Sequence, residues 1–144
     1  MDYYKKLEQN EKKNEKYLQG FEEWLNNQKL SKKTINNHIS NADLYINYYL
    51  TYYDIKTPEE GIKDVYIFLN GWFIEKCMWA TPYTTKEEAA SIKKFYAYMS
   101  EKGYVEKEDY KFLCEELKDS ILRIPSRKTK KRNPLLSNNK IRGV

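Results

Sequence analysis

The chain has 144 residues, 40% of them hydrophobic and 15% aromatic, and carries a formal net charge of +5. That length suits one helical domain in which large rings supply much of the buried area, and it excludes two full lobes. Its longest apolar run, Val65-Tyr66-Ile67-Phe68-Leu69, falls far short of a membrane span of roughly 20 residues, and Cys77 and Cys114 lack the spacing of a disulfide framework or a zinc site.

Residues 1–13 are polar and read as an N-terminal arm. From Asn14 to Lys29, the residues Tyr17, Leu18, Phe21, Trp24, Leu25 and Gln28 recur at steps of three and four, which predicts an amphipathic helix whose apolar face is core. Ser31 follows as an N-cap, and a long helix is expected from there to about Tyr53. Ile35, Ile39, Ala42, Ile46, Tyr49, Leu50 and Tyr53 share one arc of that helix, with Lys33, Asn37 and Ser40 opposite them. In its second half Leu44, Tyr45, Tyr48 and Tyr52 widen the apolar arc. That half is expected to be more deeply buried, its tyrosines core residues and not a stacking platform for single strands.

Thr57-Pro58-Glu59-Glu60 is a helix start signal, with a capping hydroxyl, a proline at the first position and acids at the positive end of the dipole. Gly61 interrupts it, and a helix over Lys63 to Met78 follows with Val65, Phe68, Leu69, Trp72 and Phe73 in one stripe. Gly71 inside that helix costs about 1 kcal/mol relative to alanine, which close helix packing would offset. Met78 to Tyr83 reads as a loop. The fourth helix is expected to open at Thr84 or Thr85, each with a glutamate three residues on, to bury Ala89, Ile92, Phe95, Tyr96 and Met99, and to stop at Gly103. On its flank Lys86, Ala90, Lys93 and Ala97 alternate a cation with a methyl, a surface that a phosphate backbone can approach. A last helix, Lys107 to Leu122, carries Leu113, Leu117 and Ile121, and Pro125 ends it. The fold class is all-α, a domain over 14–124 built of four to five helices.

Charge divides unevenly along this plan. Of the 26 basic residues, seven (Arg127, Lys128, Lys130, Lys131, Arg132, Lys140 and Arg142) lie in the tail 125–144, which has no acid, leaving 19 against 21 acidic residues in 1–124. Anion binding by the body therefore has to come from local clusters, and the tail adds sequence-independent affinity for DNA.

Read in order, Phe21-x-x-Trp24-Leu25, Leu30-Ser31-x-x-Thr34-Ile35 and Ser91-Ile92-Lys93-Lys94-Phe95-Tyr96-x-Tyr98-Met99-x-x-Lys102-Gly103-Tyr104-Val105 resemble the core-binding domain of tyrosine recombinases of the phage integrase type. The resemblance covers residues 14 to 122. It implies a SAM-like bundle that holds one side of a recombination site, with the starts of the second and fourth helices against double-stranded DNA. Pro125 to Ser137 looks like that family's interdomain linker. The catalytic domain that follows in the family, with its nucleophilic tyrosine, has no counterpart in this sequence, so the chain is expected to bind and not to catalyse.

The candidate DNA contacts are Ser31, Lys32, Lys33, Thr34 and Asn37 at the second helix, Thr84, Thr85, Lys86 and Lys93 at the fourth, and Arg127, Lys128, Lys130, Lys131 and Arg132 in the tail. Asn37 has the amide that suits adenine, whereas Lys33 and Thr34 suit phosphates. No catalytic residue, metal, cofactor or small-molecule substrate is expected: His38 is the one histidine, and the carboxylate pairs Glu22-Glu23 and Glu115-Glu116 are adjacent, so their side chains diverge around a helix. The expected partners are double-stranded DNA and other recombinase subunits, with no membrane, in the cytoplasm. The rival expectation is a helical protein-interaction module that packs on an intact recombinase subunit or on a second copy of itself.

Overall fold

The computed structural model describes residues 2–118, and these are all-helical, with no strand among them. The elements are α1 (Tyr3–Asn26), α2 (Lys32–Asp43) continued by a π-helical stretch (Leu44–Tyr49), a 3-10 turn (Glu60–Lys63), α3 (Val65–Ile67), a second π stretch (Phe68–Trp72), α4 (Phe73–Lys76), α5 (Pro82–Glu101) and α6 over 107–118. None of the described helices is long and apolar enough to cross a membrane.

The polar arm expected over 1–13 is instead the first half of α1. Asp2 caps it, its carboxylate accepting from the Lys5 amide at 2.9 Å. The inward stripe of this helix runs Asn10, Asn14, Tyr17, Phe21 and Leu25, so two amides occupy positions where an apolar residue would have signalled a helix. Asn14 Nδ2 donates to Asn47 Oδ1 at 2.8 Å and to the Ile46 carbonyl at 3.3 Å. That carbonyl lies in the π stretch, whose wider turn breaks the regular hydrogen-bond ladder.

α5 runs through the middle of the molecule. Ile92, Phe95, Tyr96 and Met99 are all but fully buried, and they meet Phe21 and Leu25 of α1, Tyr45 and Ile46 after α2, Phe68 of the second π stretch and Phe73 of α4 in one core. Rings dominate it: Phe95 stands edge-on to Phe21 at 5.3 Å and to Tyr96 at 5.2 Å, and Tyr45 to Phe68 at 4.9 Å. Two buried phenols also serve as bolts. Tyr96 Oη donates to the Pro58 carbonyl at 2.6 Å and Tyr45 Oη to the Gly61 carbonyl at 2.5 Å, fixing the segment whose Thr57 and Glu60 cap each other at 2.9 and 3.2 Å.

The tyrosine-rich half of the second helix is buried on one side only: Tyr45 and Tyr49 are core, whereas Tyr48, Tyr52 and Tyr53 are 59%, 51% and 76% exposed. The glycine expected to allow close packing is a different one as well. A Cβ on Gly71 would meet nothing, but on Gly20 of α1 it would collide with the Tyr98 hydroxyl of α5. The Tyr98 ring is held by Phe21, Trp24, Phe95 and Tyr104 and has no room to swing away. Gly20→Ala is therefore expected to destabilise the fold by about 1–2 kcal/mol in urea unfolding, the clash outweighing the gain in helix propensity. Adding Tyr98→Phe should recover part of that loss.

At its far end α5 stops as its sequence requires. Gly103 has φ +79°, its amide bonds the Ser100 carbonyl at 3.0 Å, and the Tyr104 amide reaches back to Met99 at 2.9 Å, the paired bonds of a Schellman cap.

Candidate nucleic-acid interface

α2 makes its most extensive contacts with α5, and the seam between them is polar. His38 Nδ1 lies 2.8 Å from Ser91 Oγ, and Asn41 Nδ2 donates to the same oxygen at 2.9 Å. The two sequence stretches singled out above, Leu30 to His38 and Ser91 to Gly103, thus touch at the last residue of one and the first of the other. One turn along α5, Lys94 Nζ donates to Gln28 Oε1 at 3.3 Å, at the approach to α2.

Helical periodicity places the outward residues on either side of this seam. On α2, Thr34, His38 and Asn41 are half-buried against α5, and Lys33 and Asn37 stand exposed one step further out. On α5, Lys94 flanks the seam, while Lys86, Ala90 and Lys93 are exposed on its outer ridge and border a groove whose opposite wall is Cys114, Glu115, Leu117 and Lys118 of α6. Lys32, Lys33, Lys86, Lys93 and Lys94 therefore lie along two neighbouring helices, with Glu87 and Glu101 the exposed acids of α5. The other flank of α2, toward α1, is rimmed by Glu11, Glu15, Glu22 and Asp43. Each helix pair thus carries its own charges, Glu11, Glu15, Glu22 and Asp43 at α1/α2, and Lys86 and Lys93 on α5.

The candidate contacts at the helix openings fare differently. Ser31 caps α2 as expected, accepting from the Thr34 amide at 3.1 Å and donating to Thr34 Oγ1 at 3.0 Å, so its hydroxyl is committed within the turn. Thr85 is 2% exposed and cannot reach a ligand without unfolding the helix. The cause is Pro82, which occupies the first turn and moves the start of α5 back to Thr81. Thr81 and Thr84 then form the reciprocal cap, at 2.8 and 3.1 Å, and the Thr84 hydroxyl is drawn inward to the Trp79 carbonyl at 2.9 Å. With the helix starting earlier, Thr85 turns toward the core. Arg127, Lys128, Lys130, Lys131 and Arg132 lie outside the described residues.

Sequence reasoning missed Asn41, Ser91 and Lys94, and gave His38 no role. Burial and the Lys94 charge lower the His38 pKa from its ordinary 6.5, with Glu87 opposing them. Elsewhere on α5, Glu88 is 1% exposed, its Oε2 has no hydrogen-bond partner, and burial pushes its pKa well above the ordinary carboxylate range. Burial, and after it the nearby Glu88, raises the pKa of the Cys77 thiol. Among the described residues no three His, Cys, Asp or Glu side chains converge in a metal-binding group. No family model, curated protein or solved structure matches the chain.

Proposed function

We propose that this chain binds double-stranded DNA through the α2/α5 face, as the core-binding domain of a phage-integrase-type tyrosine recombinase, contributing to site-specific recombination and integration in the cytoplasm without doing the strand chemistry itself. The observation that carries this reading is the seam at Ser91: it joins the two motif stretches, on helices that also carry the exposed Lys33, Asn37, Lys86 and Lys93 and the half-buried Lys94. In this reading the lysines hold phosphates and set register, and Asn37 reads a base edge.

Binding of a short duplex is expected at about 10⁻⁴ to 10⁻⁶ M, with a log-log salt slope near −4 to −5 if about five phosphates are neutralised. Fluorescence anisotropy across a salt series measures both, and a signal that does not respond to salt would count against the proposal. Removing 125–144 should make the slope shallower without abolishing binding.

A second reading, a protein-interaction module, draws support from exposed aromatic surface. Tyr52 packs against Tyr53 and Trp72 at 4.8 and 5.5 Å in the open, and Met78 and Trp79 are 99% and 56% exposed before α5. Light scattering over a concentration series separates the two: self-association that duplex does not alter favours the module.

A further inference from the structure

His38 is the one histidine in the chain, and it sits half-buried where α2 meets α5. The amide nitrogen of Asn41 can only donate, so Ser91 Oγ accepts from it at 2.9 Å. The Ser91 proton is then free to go to His38 Nδ1, 2.8 Å away. A neutral imidazole that accepts at Nδ1 carries its proton on Nε2. Nε2 makes no hydrogen bond to any described residue, and the half-buried ring has Lys94 as a charged neighbour. The charged groups whose fields reach the ring are Lys94 and Glu87, both from α5.

We propose that the Asn41–Ser91–His38 relay makes His38 a proton-linked phosphate contact, its Nε2–H donating beside Lys94 to a phosphate oxygen of a bound duplex, which the ring then holds more tightly once protonated. This rests on the duplex reading above and names a further residue within that face. The free ring is kept neutral by burial and by Lys94, whereas a phosphate brings the negative charge that favours the imidazolium. Binding therefore takes up a proton and strengthens as pH falls. In the charged form Nδ1 becomes a donor to Ser91 Oγ, which then accepts from both His38 and Asn41.

The test is duplex affinity of the full chain at about pH 5.5 and about pH 7.5 at fixed salt, where the wild type should bind roughly tenfold tighter at the lower value. His38→Gln should bind with little difference between the two pH values, losing most of the gain that the wild type shows at the lower one. If both proteins gain equally, the relay is overturned while duplex binding stands. If the wild type binds at neither pH, the duplex reading falls and takes this inference with it. Nitrogen chemical shifts of the sole imidazole need no substitution: the free chain should show the Nε2–H tautomer, Ser91→Ala should mix the two tautomers, and duplex should move the ring's titration up by about one pH unit. An Nδ1–H tautomer, or a titration that duplex leaves in place, contradicts the proposal.

Discussion

Reversing three charges together, Lys33→Glu, Lys86→Glu and Lys93→Glu, is expected to weaken duplex binding by about 100-fold or more at low salt and to flatten the salt slope by roughly three. All three lysines are exposed, so the fold should stand and the loss should belong to the surface. The control is the same reversal elsewhere: Lys12 and Lys13 on α1 are also exposed or nearly so, and Lys12 pairs only loosely with Glu8 at 4.0 Å. Lys12→Glu should change affinity by no more than about twofold, because Lys12 stands on α1, outside the two helices of the proposed face, and salt screens a single exposed charge. Equal losses from both faces would mean that attraction is diffuse and that no particular surface seats the duplex.

Glu88→Met should raise stability by about 1–3 kcal/mol near neutral pH, since it replaces a buried, unpartnered carboxyl with an apolar chain of similar length. The effect has a definite pH signature. In the unfolded chain Glu88 ionises at its ordinary 4.5, and in the fold burial holds it protonated well above that value. Its favourable contribution is thus complete below 4.5 and is lost as pH rises toward the folded value, because unfolding releases the proton. Urea unfolding over this range should show wild-type stability declining against that of Glu88→Met as pH increases. His38, with its lowered pKa, pulls the other way below 6.5, but it is common to both proteins, so the difference curve isolates Glu88. A difference that does not change with pH would mean that the carboxyl is ionised in the fold.

Much of this architecture was legible because local chemistry and tertiary packing agree. Ser31, Gly103 and the Thr57/Glu60 pair are punctuation with a mechanism, and each does in the structure what its residue type requires. The apolar stripe of α5 was readable at Ile92, Phe95, Tyr96 and Met99 for the same reason. The failures have physical causes too. The first half of α1 hid behind Asn10 and Asn14, buried amides that interrupt the hydrophobic period. The start of α5 was misplaced because two competing threonine signals at 84 and 85 outweighed Pro82, whose fixed φ suits a first helical position. That error carried Thr85 into the set of DNA contacts, whereas the structure buries it.

For the face itself, periodicity was enough to find the exposed members. Lys33, Asn37, Lys86 and Lys93 stand outside the apolar arcs in sequence and are exposed in the structure. What joins them was not readable. Hydrogen bonds between helices, such as those of His38 and Asn41 with Ser91, follow from how two helices cross, and no single-helix period encodes that crossing. The glycine contact went the same way: Gly71 and Gly20 are equivalent in sequence, and only the position of Tyr98 distinguishes them.

Amide chemical-shift mapping during titration with a short duplex tests the central claim most directly, because it reports where the nucleic acid sits without altering a residue. The account expects the largest shifts over 31–41 and 86–97, with His38, Asn41 and Lys94 among them, and small ones along Glu11 to Glu22 on α1. Shifts centred instead on Tyr52, Tyr53 and Trp79, or spread evenly over the molecule, would contradict it.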